Sequence, residues 1–235
     1  VHGLDSALVA YLSISLYNDA MLNIAVLGSG RGSNLEAILK AMAGGMLPGG
    51  RFPGARIGVV LSNNSTAGIL EIARAHAVPA VHLSEKQYPS PEAFVDALLA
   101  VLRTHDTGLI VLAGYMKRLP ARVVAAYRHR IINVHPALLP EFGGQGMYGL
   151  HVHEAVLAAH RTVSGATVHM VDDDYDHGAI LIQEKVPVLP EDTPASLAAR
   201  VLPVEHRILP EAIRMFAEER VSVVDGNIHI RSGQE

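Results

Sequence analysis

Short runs of β-branched residues alternate with stretches of helical periodicity from residue 22 to about 140. That alternation leaves few folds open. Asn23 to Gly28 is a compact apolar run, and Leu35 to Met42 has helical spacing. Arg56 to Ser62 is a second apolar run, Thr66 to His76 a helix, and Ala80 to Leu83 a short third strand. Pro91, suited to a first helical turn, opens a helix to about His105, with Phe94, Leu98, Val101 and Leu102 at core-facing spacing. Leu109 to Ala113 makes a fourth strand, a helix runs on to about Tyr127, and Ile131 begins a fifth. The pattern predicts an α/β fold: a mostly parallel, twisted sheet with helices on both faces. Right-handed crossovers put the ends of strands one, four and five on one edge.

The second half changes character. Thr162 to Val171 and Ala179 to Val186 read as strands joined by the acidic loop Asp172-Asp173-Asp174-Tyr175-Asp176-His177-Gly178. That loop is too long for a two-residue hairpin and should bulge outward. Thr193 caps a helix to about His206, which continues from Leu209 to Glu219 after a break at Pro210. Val221 to Ile230 forms a short C-terminal hairpin turning at Asp225-Gly226-Asn227. The loop from Ala43 to Gly54 is rich in glycine and proline. Residues 1–20 read as an N-terminal extension outside the domain, and residues 21–235 as a single domain.

The stretch Ile131 to Pro140 carries the first chemistry. Pairing should stop at Pro136, which cannot donate to a sheet ladder. Asn133 and His135 are two apart, so on a strand they face the same side. An amide and an imidazole therefore stand together at a strand end, where open α/β sheets bind ligands. A hydrogen-bonded core histidine is the plainer alternative.

Gly28-Ser29-Gly30-Arg31-Gly32-Ser33-Asn34 lies between the first strand and the first helix. Backbone N–H groups at such a helix start can hold a phosphate. Ser33 and Glu36 have capping-box spacing. The loop is neither a G-x-G-x-x-G motif nor a P-loop, since the third glycine comes one position early and no lysine follows Gly32. No acid occurs between Glu36 and Glu71, so the ribose-binding carboxylate of a dinucleotide fold is missing. A small phosphorylated ligand fits better than a dinucleotide, and a plain glycine turn is the alternative.

Other chemistries are constrained. The chain has no cysteine, which excludes disulfides, thiolate catalysis and Cys-ligated zinc, and suits a cytoplasmic protein. A net charge of −4 gives no reason to expect a nucleic-acid partner. No apolar run approaches the roughly 20 residues that span a bilayer. His151 and His153 with the Asp172–Asp176 cluster could suggest a metal site, but a solvated acidic turn looks the same and no metal is expected. There is no Gly-x-Ser-x-Gly elbow of a serine hydrolase.

Taken together, Gly30-x-Gly32-Ser33-Asn34, Ala113-Gly114-Tyr115-Met116, Asn133-x-His135-Pro136-x-Leu138-Leu139-Pro140, and His169 followed by Asp173 and Asp176-x-Gly178 resemble the phosphoribosylglycinamide formyltransferase family. The match runs from about Leu22 to Glu219. The Asn-x-His-Pro and Asp-x-Gly motifs belong to formyltransferases at large, and the Gly-Ser-Asn loop to this branch. The resemblance implies a formyltransferase-like, Rossmann-related fold. It implies transfer of the formyl group of 10-formyltetrahydrofolate, the co-substrate, to the amine of glycinamide ribonucleotide in purine synthesis. Deformylation of the same folate, or another formyl transfer that depends on it, is the alternative.

By that resemblance Asn133, His135 and Asp176 are catalytic. Gly32, Ser33, Asn34 and Glu205 hold the ribonucleotide. Met116, Lys117, Arg118, Leu119, Asn133, Asp172 and Asp173 hold the folate. The two small molecules are the expected partners, and the working state is a monomer or weak homodimer. Two features depart from the family pattern. Residues 142–149 are longer than the shortest family form, and Pro91 stands where some members carry a basic residue, with Lys86 the nearest substitute. The expected chemistry has an Asn133 N–H and a protonated His135 stabilising an oxyanion, with Asp176 favouring the imidazolium.

Overall fold

A computed structural model of the chain describes residues 21–44, 54–174, 176–224 and 227–231. Residues 1–20, the middle of the 43–54 loop and the tip of the C-terminal hairpin lie outside the described residues.

Seven strands form one sheet: β1 (Leu22–Leu27), β2 (Ala55–Ser62), β3 (Ala80–His82), β4 (Leu109–Leu112), β5 (Ile131–His135), β6 (Val163–Met170) and β7 (Ile180–Pro187). Their order is β3-β2-β1-β4-β5-β6-β7. The first five are parallel, as the alternation predicts, while β6 pairs antiparallel with β5, and β7 antiparallel with β6. A separate hairpin pairs β8 (Val221–Val224) with β9 (Asn227–Ile230).

The helices are α1 (Ser33–Met42), α2 (Gly68–Ala75), α3 (Pro91–Thr104), α4 (Ala121–Ala126), α5 (Leu150–Ala158) and α6 (Pro194–Ala217). Two apolar layers cover the sheet. One joins Val26, Val111 and Ile132 to Leu35 and Ile38 of α1, Ile69 of α2, and Leu197 and Val201 of α6. The other joins Leu27, Ile110 and Ile131 to Phe94 and Leu98 of α3 and Val123 of α4. Central strands covered on both faces read as unbroken apolar runs, and β4 is buried at every position.

At the C-terminal side one expectation changes and one helix joins those expected. First, α6 is one helix that passes through both Pro203 and Pro210, so the break at Pro210 does not occur. A proline inside a helix loses a hydrogen bond and costs about 3 kcal/mol. Here Pro210 is buried among Leu209, Ala212 and Ile213, and tertiary packing outweighs the local loss. Thr193 does cap this helix: its hydroxyl accepts from Ser196 N–H at 3.2 Å, and Ser196 Oγ accepts from Thr193 N–H at 2.9 Å. Second, residues 150–158 are helical, which the short apolar stretch around His151 did not reveal. Among the described residues no helix is long and apolar enough to cross a membrane.

Candidate active site

The strand order sets the site. The C-terminal ends of β1, β4 and β5 lie side by side, and a cleft of about 1480 Å³ opens beyond them. Asn133 and His135 both line it, on the same face of β5. The antiparallel partner β6 sets His169 directly opposite Asn133 and Thr167 opposite His135. The buried Thr167 hydroxyl donates to the Ala137 carbonyl at 2.6 Å and accepts from Leu139 N–H at 3.2 Å and Gln183 Nε2 at 2.9 Å. Those bonds hold the chain where it leaves β5, so the strand end is fixed.

The chemistry is a network of four side chains. His169 is buried, and its Nδ1–H donates to the Met170 carbonyl at 2.8 Å. Its Nε2 lies 3.1 Å from Asn133 Nδ2 and also faces Asp176, accepting an amide hydrogen when it carries no proton and donating to the carboxylate when it does. Asn133 keeps a second amide hydrogen for another acceptor. His135 donates Nε2–H to the Phe142 carbonyl at 2.8 Å, and its Nδ1 lies 3.8 Å from Asp176 Oδ2. Asp176 Oδ1 is 3.4 Å from His169 Nε2, and its Oδ2 accepts from Gly144 N–H at 2.9 Å.

Burial decides the protonation of His135. Only 3% of the residue is exposed, and desolvation pushes its pKa below the ordinary value of 6.5 despite the opposing pull of Asp176 and the Phe142 carbonyl. The sequence expectation of a protonated His135 is therefore reversed: at neutral pH the imidazole is uncharged, with its proton on Nε2. Asp176 goes the other way. Burial raises its pKa, but hydrogen bonding from His169 and Gly144 and the nearby rings lower it more, so the net shift is downward and the carboxylate stays ionised.

Asp176 faces inward and itself takes the left-handed conformation, with φ of 56°. A Cβ on Gly178 would sit 1.9 Å from the Met170 carbonyl oxygen, so that glycine serves close backbone approach.

The glycine loop lines the same cleft. Gly30 to Asn34 and Glu205 all line it. Gly32, not Ser33, is the N-cap of α1, with φ of 90°, and no side chain caps the helix. The predicted Ser33–Glu36 capping box is thus absent. The left-handed glycine starts the helix, and Glu36 N–H bonds Gly32 O. The amides of Ser33, Asn34 and Leu35 have no acceptor within the helix, as at any helix N-terminus. Asn34 Nδ2 donates to Glu205 Oε2 at 3.0 Å, while its Oδ1 is buried without a partner. Burial raises the pKa of Glu205, only partly offset by that bond.

Met116, Lys117, Arg118, Leu119, Asp172 and Asp173 line the remaining side of the same cleft. Arg118 donates to the Asp173 carbonyl at 2.5 Å, and the Asp173 carboxylate pairs with Arg128 at 3.3 Å. Pro91 also lines the cleft, whereas Lys86 lines a smaller neighbouring cavity with Lys117 and Asn63. The 142–149 segment reaches the cleft from Gly144 onward and is fastened by the bonds from His135 and to Asp176.

His151 and His153 do not form a metal pair. On a helix, residues two apart point to opposite sides. His151 is exposed and its Nδ1 pairs with Glu154 at 3.1 Å, whereas His153 is buried and lines the cleft. Among the described residues no three His, Asp or Glu side chains gather as a metal site. Sequence reasoning gave no role to His169, the Phe142 carbonyl or the Gly144 amide. His169 had a signal, since pairing the 162–171 strand with β5 sets it across from Asn133.

The formyl transferase family model matches residues 22–213. The chain belongs to this family. It is 38% identical over 215 residues to a chloroplastic phosphoribosylglycinamide formyltransferase of Arabidopsis thaliana, covering 91% of this chain and 72% of that one. It is 36% identical over 205 residues to the phosphoribosylglycinamide formyltransferase of Haemophilus influenzae, covering 87% and 92%. The crystal structure of glycinamide ribonucleotide transformylase 1 from Symbiobacterium toebii superposes with a TM-score of 0.81 at 40% identity, over 90% of this chain and 95% of that one. The fold is thus shared with an experimentally solved relative.

Proposed function

We propose that this chain transfers the formyl group of 10-formyltetrahydrofolate to the amine of glycinamide ribonucleotide. One observation carries the reading. The Asn133–His169–Asp176–His135 network and the Gly30–Asn34 helix start open into the same cleft, so a formyl donor and a phosphorylated amine can meet there. The names of the relatives agree with it.

In this reading Gly32, Ser33 and Asn34 hold the phosphate, and Glu205 holds the ribonucleotide beyond it. Met116 to Leu119, Asp172 and Asp173 hold the folate, with Asn133 at its reacting end. Attack of the amine lone pair on the formyl carbon drives the carbonyl electron pair onto oxygen. The second amide hydrogen of Asn133 is the donor for that oxyanion, the interaction that usually contributes most, and the Nε2–H of His135 joins it only by leaving the Phe142 carbonyl. Collapse re-forms the carbonyl and breaks the bond to folate N10. The proton lost by the amine ends on N10, and Asp176 is suited to pass it through water. These roles use the chain's own side chains and backbone amides and call for no metal. One chain supplies every residue named, so a monomer or weak homodimer suffices. The absence of cysteine suits a reducing compartment such as the cytoplasm.

The test uses purified protein and 10-formyltetrahydrofolate, with and without the ribonucleotide. Folate turnover should require the amine and yield formylated ribonucleotide. Equal turnover without it would make the protein a deformylase instead.

A further inference from the structure

Ser29 sits where three strands end. It follows β1, and its neighbours in the sheet are β2 and β4. Its N–H donates to the Gly114 carbonyl at 3.0 Å, just past β4. Its hydroxyl donates to Asn63 Oδ1 at 2.5 Å, just past β2, and accepts from Met116 N–H at 2.8 Å. The hydroxyl therefore extends the sheet's hydrogen bonding past its edge. It fixes the first residue of the Met116–Leu119 segment, although in sequence it belongs to the glycine loop.

We propose that Ser29 is a positioning residue for the folate side of the cleft, acting through the Met116 backbone. This rests on the functional reading above. Met116 is half exposed, so water can satisfy its N–H once the hydroxyl is gone. The backbone bond from Ser29 to Gly114 does not depend on the side chain. Loss of the hydroxyl thus leaves the fold intact and frees the start of the Met116–Leu119 segment.

The direction of the effect separates this role from a structural one. A residue that merely shaped the glycine loop would, when altered, weaken the ribonucleotide. Ser29→Ala should instead weaken 10-formyltetrahydrofolate by about fivefold, the worth of one ordinary hydrogen bond. The ribonucleotide should stay within about twofold, and Ser29→Thr, which keeps the hydroxyl, should restore folate binding. The measurement is titration calorimetry of each ligand on wild type and both variants, with KM for each substrate beside it. Unchanged folate affinity in Ser29→Ala, equal weakening of both ligands, or no recovery in Ser29→Thr would each overturn the proposal. Wild-type protein that binds no 10-formyltetrahydrofolate would overturn the functional reading and this inference with it, and that result is seen before any substitution is made.

Discussion

His135 and Asp176 work against each other's surroundings. Burial lowers the histidine's pKa, and the carboxylate 3.8 Å away raises it without winning. Asp176→Asn keeps the shape and removes the raising influence, so the His135 pKa should fall further. NMR titration of the ring checks this, and an unchanged midpoint would mean the pair is not coupled. The same variant should lose roughly 10²-fold in kcat if the carboxylate handles the proton. Asn133→Ala should lose a similar factor through the missing oxyanion donor, with both substrates still bound. Glu205 offers the opposite case. A buried carboxyl with a raised pKa costs stability when it ionises at neutral pH. Glu205→Gln keeps an acceptor for Asn34 and removes the charge. It should raise Tm by a few degrees at pH 7.5 while weakening the ribonucleotide, a trade seen by calorimetry of the same sample. The placement of Asn133 and His135 was legible from a spacing of two before a proline. The protonation of His135 was not, because desolvation depends on how completely β6 and the 142–149 segment cover it.

The parallel half of the sheet was legible for a simple reason. Its strands are covered on both faces, so each is an unbroken apolar run, and its helices show one apolar stripe. The elements that misled carry conflicting local signals. α5 holds two histidines and little amphipathic contrast, and α6 hides its continuity behind two prolines whose cost is met by packing. The glycine loop shows how much of an element's start is backbone. A Cβ on Gly32 would lie 2.8 Å from Ile69 Cα, at a φ of 90° that L residues avoid, so Gly32→Ala should lower Tm by several degrees whatever it does to ligands. Gly30 has nothing within 4 Å of its would-be Cβ and lines the cleft. Gly30→Ala should therefore keep the wild-type Tm and weaken the ribonucleotide several-fold more than the folate. Equal weakening of the two would show that this loop only shapes the fold.

The antiparallel side of the sheet concentrates buried imidazoles, and that gives the whole fold an acid limit. His135 and His153 both have pKa values lowered first by burial, and the less buried His129 and His206 shift the same way. A histidine whose folded pKa lies below its unfolded value binds fewer protons when folded. Its contribution is complete above about 6.5 and is lost as pH falls through the folded pKa. Stability should therefore decline between pH 7.5 and 5.5. Two carboxyls need separating from that trend. Asp176 has a lowered pKa, so its contribution is lost only below the ordinary carboxyl range, outside the window. Glu205 has a raised pKa, so the folded state takes up its proton more readily and gains stability as pH falls, opposing the histidines. Melting curves across this window should then show a steeper decline for Glu205→Gln than for wild type. Adding His153→Gln to that variant should flatten it, because one buried imidazole no longer titrates. A Tm independent of pH in Glu205→Gln would mean that the buried rings take up protons as easily as in the unfolded chain, and that the cleft wall is wetter than its packing implies.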